Sequence, residues 1–210
     1  PTMAEDDHIL DPAAIAYAKT DAFSSAGVLA KRSFPLIFSR TGVEAAAAST
    51  TAVHTAFATT TTGNTITTGI TNPPCARNLV VTFAGTETDL AAVNTTITGT
   101  DINDAVISED FLATLNTGST VTGSKAFKTV TSIVNGIHDG TGATIAVGFG
   151  DKLGLPWKLS MNTNFRTHLG ATLEGTAATV AISSSVLASN TIDLNSALDG
   201  SAVTAFFLTV

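Results

Sequence analysis

The chain has 210 residues, 44% hydrophobic and only 13% charged, with a net charge of −7. That length carries one sizeable core, or a core plus an arm. The acidity, with ten scattered basic residues, argues against nucleic-acid binding, and a lone Cys75 excludes an internal disulfide, leaving a small buried hydrophobe or a pairing between chains.

Charged residues usually make up about a quarter of a soluble domain, so this surface is charge-poor. It is instead rich in threonine, with 37 residues. Threonine suits a pleated, half-buried surface. No run of 18 apolar residues exists, so no membrane helix is expected. The acidic opening PTMAEDDHIL lacks the basic-then-apolar pattern of a signal peptide.

Residues 1–10 read as a polar tip. Asp11-Pro12 places a capping residue before a proline at the first helical position, and Ile15, Ala18 and Ala22 then share one face. This predicts a short helix over about 12–22, ended by Ser24-Ser25 and Gly27. Residues 28–44 carry Val28, Leu29, Phe34, Leu36, Ile37 and Phe38. Pro35 excludes a continuous helix there and predicts an extended or edge segment. Ala45–Thr50 reads as a linker. Residues 1–45 are therefore expected to form an arm, and 46–210 a β domain.

From Thr51 onward, short strands alternate with turn signals about every ten residues, a pattern of sandwiches and barrels. Strands are expected at Ala52–Ala58, Thr65–Ile70, Leu79–Phe83, Val93–Ile102, Ala105–Ala113, Ala126–Val134, Thr144–Phe149, Lys158–Met161, Thr179–Ser183 and Val203–Val210. Turns are marked by Gly63-Asn64, Asn72-Pro73-Pro74, Asn116-Thr117-Gly118, His138-Asp139-Gly140 and Asp199-Gly200. The stretch 78–111 stands out: three strands in a row, the last two joined through Asn103-Asp104, residue types that tolerate the left-handed backbone of a tight turn. Thr86–Val93 reads as a short excursion between strands.

Reactive constellations fail one by one. Gly118 to Lys125 resembles a phosphate loop, but that motif needs Lys directly after the second Gly and a helix to follow. Here Ser124 precedes Lys125 and a strand pattern follows, so a hairpin loop is expected. Asp101, Asn103 and Asp104 lack the glycine and glutamate positions of an EF-hand calcium loop and read as a solvated turn, with a loop calcium site of another kind as the alternative. Glu109 and Asp110, adjacent in a strand, point to opposite faces. His8, His54, His138 and His168 form no pair with metal spacing, and no serine sits in a G-x-S-x-G elbow. The Asn94-Thr95-Thr96 triplet means nothing without a secretory route. The run Gly148–Trp157 gathers three glycines, Pro156 and the only tryptophan. It reads as an unusual loop in which Trp157 either caps the core or anchors an interface. No cofactor, metal site or catalytic set is expected.

Three stretches carry a likeness to a known family: ITGTDINDAVISEDF (97–111), TVTGSKAFKTVTSI (120–133) and HDGTGATIAVGFGDKLGLPWKL (138–159). Together they resemble tailed-bacteriophage virion structural proteins over residues 64–200, and most of all capsid decoration, or cement, proteins. The likeness implies a non-enzymatic protein of the virion surface, made in the host cytoplasm. It would bind the major capsid protein and itself, as a homotrimer, with no nucleic acid or membrane partner. The expected fold is an all-β, jelly-roll-like β-sandwich preceded by an extended arm with a short helix. Contact residues would be Tyr17, Phe23, Leu29, Phe34, Ile37, Phe38 and Trp157, the alternative being that they pack on the sandwich of their own subunit. The other readings are a tail or tail-tip component and a carbohydrate-binding attachment module.

Overall fold

The computed structural model describes residues 35–115 and 118–208. Within these, Leu36–Phe207 form one compact unit. The expected helix over 12–22 lies outside the described residues, as do Tyr17, Phe23, Leu29 and Phe34.

The described chain is nearly all β, in antiparallel sheets. In order, the strands are β1 (Pro35–Arg40), β2 (Ser49–Ala58), β3 (Asn64–Ile66), β4 (Arg77–Gly85), β5 (Asn94–Thr100), β6 (Val106–Leu112), β7 (Ser119–Phe127), β8 (Thr129–Asn135), β9 (Ala143–Gly154), β10 (Asn164–Leu169), β11 (Thr172–Leu173), β12 (Thr179–Ala181), β13 (Thr191–Asp193) and β14 (Val203–Leu208).

Pairing within β2–β9 is nested. The innermost pair is β5 with β6, followed outward by β4 with β7, β3 with β8, and β2 with β9. All four pairs are antiparallel, so strands 2–5 run out and 6–9 run back as one long ribbon. Successive pairs alternate between two sheets. β4 joins β9 in one, giving the order β2-β9-β4-β7, and β5 joins β8 in the other, giving β3-β8-β5-β6. The first core draws on both: Val53, Leu79, Val81, Phe83, Ile145 and Val147 from one sheet meet Ile97, Phe111, Val130 and Ile133 from the other. Each such side chain contributes about 1.5–3 kcal/mol on burial.

The threonines follow from this geometry. They pair across strands, Thr82 with Thr120 at 2.9 Å and Thr100 with Thr129 at 2.7 Å, or reach a neighbour, as Thr96 reaches Asp110 at 2.6 Å. Such cross-strand contacts stabilise a sheet with few charges.

A second core is built by the chain on either side of the ribbon. Phe38 and Ala45 come from before it, and Leu155, Leu159, Ile192, Val203, Ala205 and Phe207 from after it. Here β1, β14, β10 and β11 form a further four-stranded sheet, and β12 and β13 extend the sheet of β9. The two cores share β9: Ala143–Phe149 serve the first and Leu153 the second.

Several expectations change. The arm boundary at residue 45 falls inside the compact unit, because β1 pairs with β14 and Phe38 and Ala45 are buried. The expected linker Ala45–Thr50 already contains the start of β2. The phosphate-loop look-alike is not a hairpin loop but strand β7, whose Ser124 and Lys125 backbone N–H groups donate to the Glu109 carboxylate. The run 126–134 is two strands, because the chain crosses from one sheet to the other at Lys128.

The glycine-rich run 148–154 is not a loop. Those glycines lie in β9 because neighbouring strands come too close for a side chain: a Cβ on Gly148 would stand 1.8 Å from the Ser49 carbonyl oxygen, and one on Gly150 2.7 Å from the Asn78 amide. Lys158–Met161 is not a strand. There the Leu159 N–H donates to the Asn190 side chain at 2.9 Å, rather than to a strand partner. β10, β11 and β13 had no counterpart in the expected strands. The Asn103-Asp104 turn holds, with Asp104 at φ 63°, and Thr86–Val93 is a short excursion containing one 3-10 turn, Glu87–Asp89.

Candidate interaction surface

The outer face of the β1-β14-β10-β11 sheet carries the most suggestive surface. Strand alternation sets it up. On β1, Leu36 and Phe38 pack into the second core and Ile37 points away, 62% exposed. On β14, Val203, Ala205 and Phe207 point in, leaving Thr204 and Phe206 outward. β10 aligns Arg166 with Phe206 and His168 with Thr204, and β11 aligns Leu173 with His168. An irregular step between Asn164 and Arg166 turns Phe165 outward as well, 57% exposed.

Phe165 and Phe206 are in ring contact at 6.1 Å, and His168 meets Phe206 edge-on at 6.2 Å. The result is an apolar strip of Phe206, Phe165 and Leu173, with Ile37 exposed on the same sheet face one strand away. Its rim holds a groove of about 550 Å³ lined by Asn164, Arg166, Glu174 and Thr176 along with Phe165 and Leu173. The Arg166 side chain makes no ion pair or hydrogen bond among the described residues. Asn164 is occupied in bracing the strand, its amide donating to the Phe206 carbonyl at 3.2 Å and its oxygen accepting from Thr167. Glu174 accepts from the Ser196 N–H.

Of the expected contact residues within the described chain, only Ile37 lies on this face. Phe38 is 2% exposed and belongs to the second core. Trp157 is half-buried, edge-on to Phe38 at 6.5 Å and to Phe207 at 5.8 Å, so it caps its own core. Phe165, Phe206 and Leu173 were missed. The signal for Phe206 is the unbroken apolar run at 205–208, which leaves hydrophobic side chains on both faces of a strand. Phe165 stands alone between polar neighbours and gave none.

The other candidates are accounted for locally. Asp101 Oδ1 accepts the Asn103 and Ala105 N–H groups, and Asp104 forms an ion pair with Lys128 at 2.8 Å. Among the described residues no group of three or more His, Cys, Asp or Glu side chains could hold a metal ion. His54, His138 and His168 are dispersed: His54 bonds the neighbouring Thr55 carbonyl, His138 is buried, and His168 lies on the apolar strip. Cys75 packs against the second core, and burial pushes its thiol pKa up, which lowers its reactivity. No helix among the described residues is long and apolar enough to cross a membrane.

Comparison with protein-family models, curated proteins and solved structures finds no match to this chain.

Proposed function

We propose that this chain is a β-sandwich of the jelly-roll type that decorates a tailed-phage capsid, binding the major capsid protein and cementing the assembled shell. The fold reading rests on the nested ribbon, whose four antiparallel pairs alternate between two sheets around a shared core. An eight-stranded double-sheet ribbon of that kind is the jelly-roll pattern, recurrent in viral capsid and lectin domains. The functional reading is supported by the resemblance over residues 64–200, and the observation that carries it is the apolar strip Phe206, Phe165 and Leu173, with Ile37 exposed on the same sheet face. Contiguous exposed apolar surface marks interaction sites. A protein that binds only the assembled shell stabilises it by mass action, repeated over every lattice site. A small cyclic oligomer, a homotrimer in this reading, would match closed symmetry.

The test is cosedimentation of the purified protein with shells that lack it, alongside the melting temperature of those shells. Binding with a raised shell melting temperature supports the proposal. Binding to tails alone would move the protein to the tail, and no binding to any particle would end the virion reading. The groove beside Phe165, with Arg166 and Glu174 at its rim, favours a second reading, attachment to a host glycan. A glycan array on the same sample would detect it.

A further inference from the structure

Among the described residues, three buried side-chain atoms at one rim of the first core lack a hydrogen-bond partner: Asn135 Nδ2, Asn64 Oδ1 and Thr60 Oγ1. They are neighbours in the fold. Asn64 and Asn135 are partners across β3 and β8, two residues along from the inward-facing pair Ile66 and Ile133 and so on the same face. Thr60 is tied to the same corner, its carbonyl accepting the His138 N–H at 3.0 Å.

The orientation of Asn135 follows from a chain of donors. The Ala91 N–H donates to His138 Nδ1 at 3.1 Å, so that nitrogen carries no proton. In the neutral ring the proton then sits on Nε2, which donates to Asn135 Oδ1 at 3.2 Å. Thr95 Oγ1 donates to the same oxygen at 3.0 Å. With Oδ1 committed to these two donors, the amide cannot be flipped, and both Nδ2 protons face away with nothing to accept them. Asn135 is 2% exposed, and a buried donor left unmade costs about 1–3 kcal/mol. Asn64 Oδ1 can accept and Thr60 Oγ1 can accept or donate, so the set is complementary in chemistry while its members do not bond one another directly.

We propose that a single water molecule is held at this rim, accepting a hydrogen bond from Asn135 Nδ2 and donating to Asn64 Oδ1 and Thr60 Oγ1. A buried water needs two to four polar partners, and this corner supplies three. No cation fits as well, because the one group of settled orientation presents protons to the site.

The test is water-selective nuclear Overhauser spectroscopy on the labelled full chain, with a crystal structure at a resolution that places waters. The expected result is a cross-peak between the Asn135 side-chain amide protons and a long-lived water, matched by density within hydrogen-bond reach of all three atoms. In Asn64→Val the cross-peak should be lost and the Asn135 amide protons should exchange faster, while the Thr95 and His138 signals hold. A direct bond from Asn135 Nδ2 to Asn64 Oδ1, or an unchanged cross-peak in Asn64→Val, would overturn the proposal. Should that variant not fold, the wild-type density decides alone.

Discussion

The Arg77 guanidinium lies 3.4 Å from Asp151 Oδ1, and the arginine side chain is wholly buried while the aspartate keeps about a third of its surface. Arg77 also donates to the carbonyls of Gly150 at 2.8 Å and Ala46 at 2.6 Å, and its guanidinium stacks 4.5 Å over the Phe149 ring. One cation therefore ties β4, β9 and the segment leading into β2. Its partners are unequal, since the two carbonyls cannot leave and Asp151 can be hydrated.

Arg77→Ala is expected to cost about 3–5 kcal/mol, because it removes a buried cation bonded to two carbonyls and a carboxylate, together with its packing. Asp151→Asn should cost less, on the order of 1–2 kcal/mol, since the guanidinium keeps both carbonyls. Urea midpoints of the two variants check the order. Equal losses would mean that the ion pair, and not the carbonyl anchoring, dominates.

Asn190 is the corresponding hub of the second core. Its Oδ1 accepts from the Leu159 and Ser183 N–H groups, both at 2.9 Å, and its Nδ2 faces the Ser183, Val186 and Leu187 carbonyls. Asn190→Ala should cost about 2–4 kcal/mol, as several buried groups lose partners at once. Asn190→Asp should be no better, because a carboxylate would meet three carbonyl oxygens. Thermal melts that rank Asp well above Ala would contradict this.

Acid should weaken the protein through His138. Burial holds its pKa below the usual 6.5, opposed by nearby Asp139. The neutral ring is the one that fits, because Nδ1 accepts the Ala91 N–H. A depressed folded pKa means that the unfolded state binds the proton first. The contribution is thus complete above about pH 6.5 and is lost as pH falls through the folded value. Stability measured from pH 7.5 to 5 should fall, and should fall less steeply in His138→Gln. Identical slopes would remove His138 from the account.

Two glycines should respond in opposite ways to the same substitution. Gly148→Ala would drive a Cβ to 1.8 Å from the Ser49 carbonyl oxygen, so β2 must separate from β9. Poor solubility or a large drop in melting temperature is expected. Gly175 has nothing within 4 Å of an added Cβ, so Gly175→Ala should stabilise slightly, by about 0.4–1 kcal/mol, through the unfolded chain.

Deletion of residues 1–34 leaves every described strand in place, whereas deletion of 1–45 removes β1 and the buried Phe38 and Ala45. Burying a Phe side chain is worth about 3 kcal/mol before any sheet pairing is counted. The shorter deletion should melt near the parent temperature, and the longer one should unfold or aggregate. A stably folded 46–210 fragment would restore the boundary expected from the sequence.

The ribbon's inner strands were legible because each signal was local. Leu79–Phe83 is β-branched and apolar, Val93–Ile102 alternates, and Asn103-Asp104 announces its own turn. The same local reasoning fails at β9, where glycine reads as a turn. There glycine answers to groups that approach from about 70 and 100 positions earlier, the Asn78 side-chain amide at Gly150 and the Ser49 backbone at Gly148. β10 was missed because NFRTHL shows no clean alternation: its backbone steps out of register beside Phe165. At the surface, Ile37 was found because Pro35 flags an edge segment, while Leu173 sits in a two-residue strand too short for any periodicity.

The nesting of the ribbon also sets an order of events during synthesis. β5 and β6 are joined by a five-residue turn, so their contact can close as soon as Leu112 has been made. Each wider pair must wait for a later strand, and β2, among the first to be made, finds its partner only when β9 is complete. Until then Val53 and Phe57 have no sheet to join. Closure across such distances is entropically slow. The nascent chain should therefore zip from its hairpin tip outward, and a ribosome-stalled chain ending before residue 143 should expose an unpaired β2 to any chaperone or protease at hand.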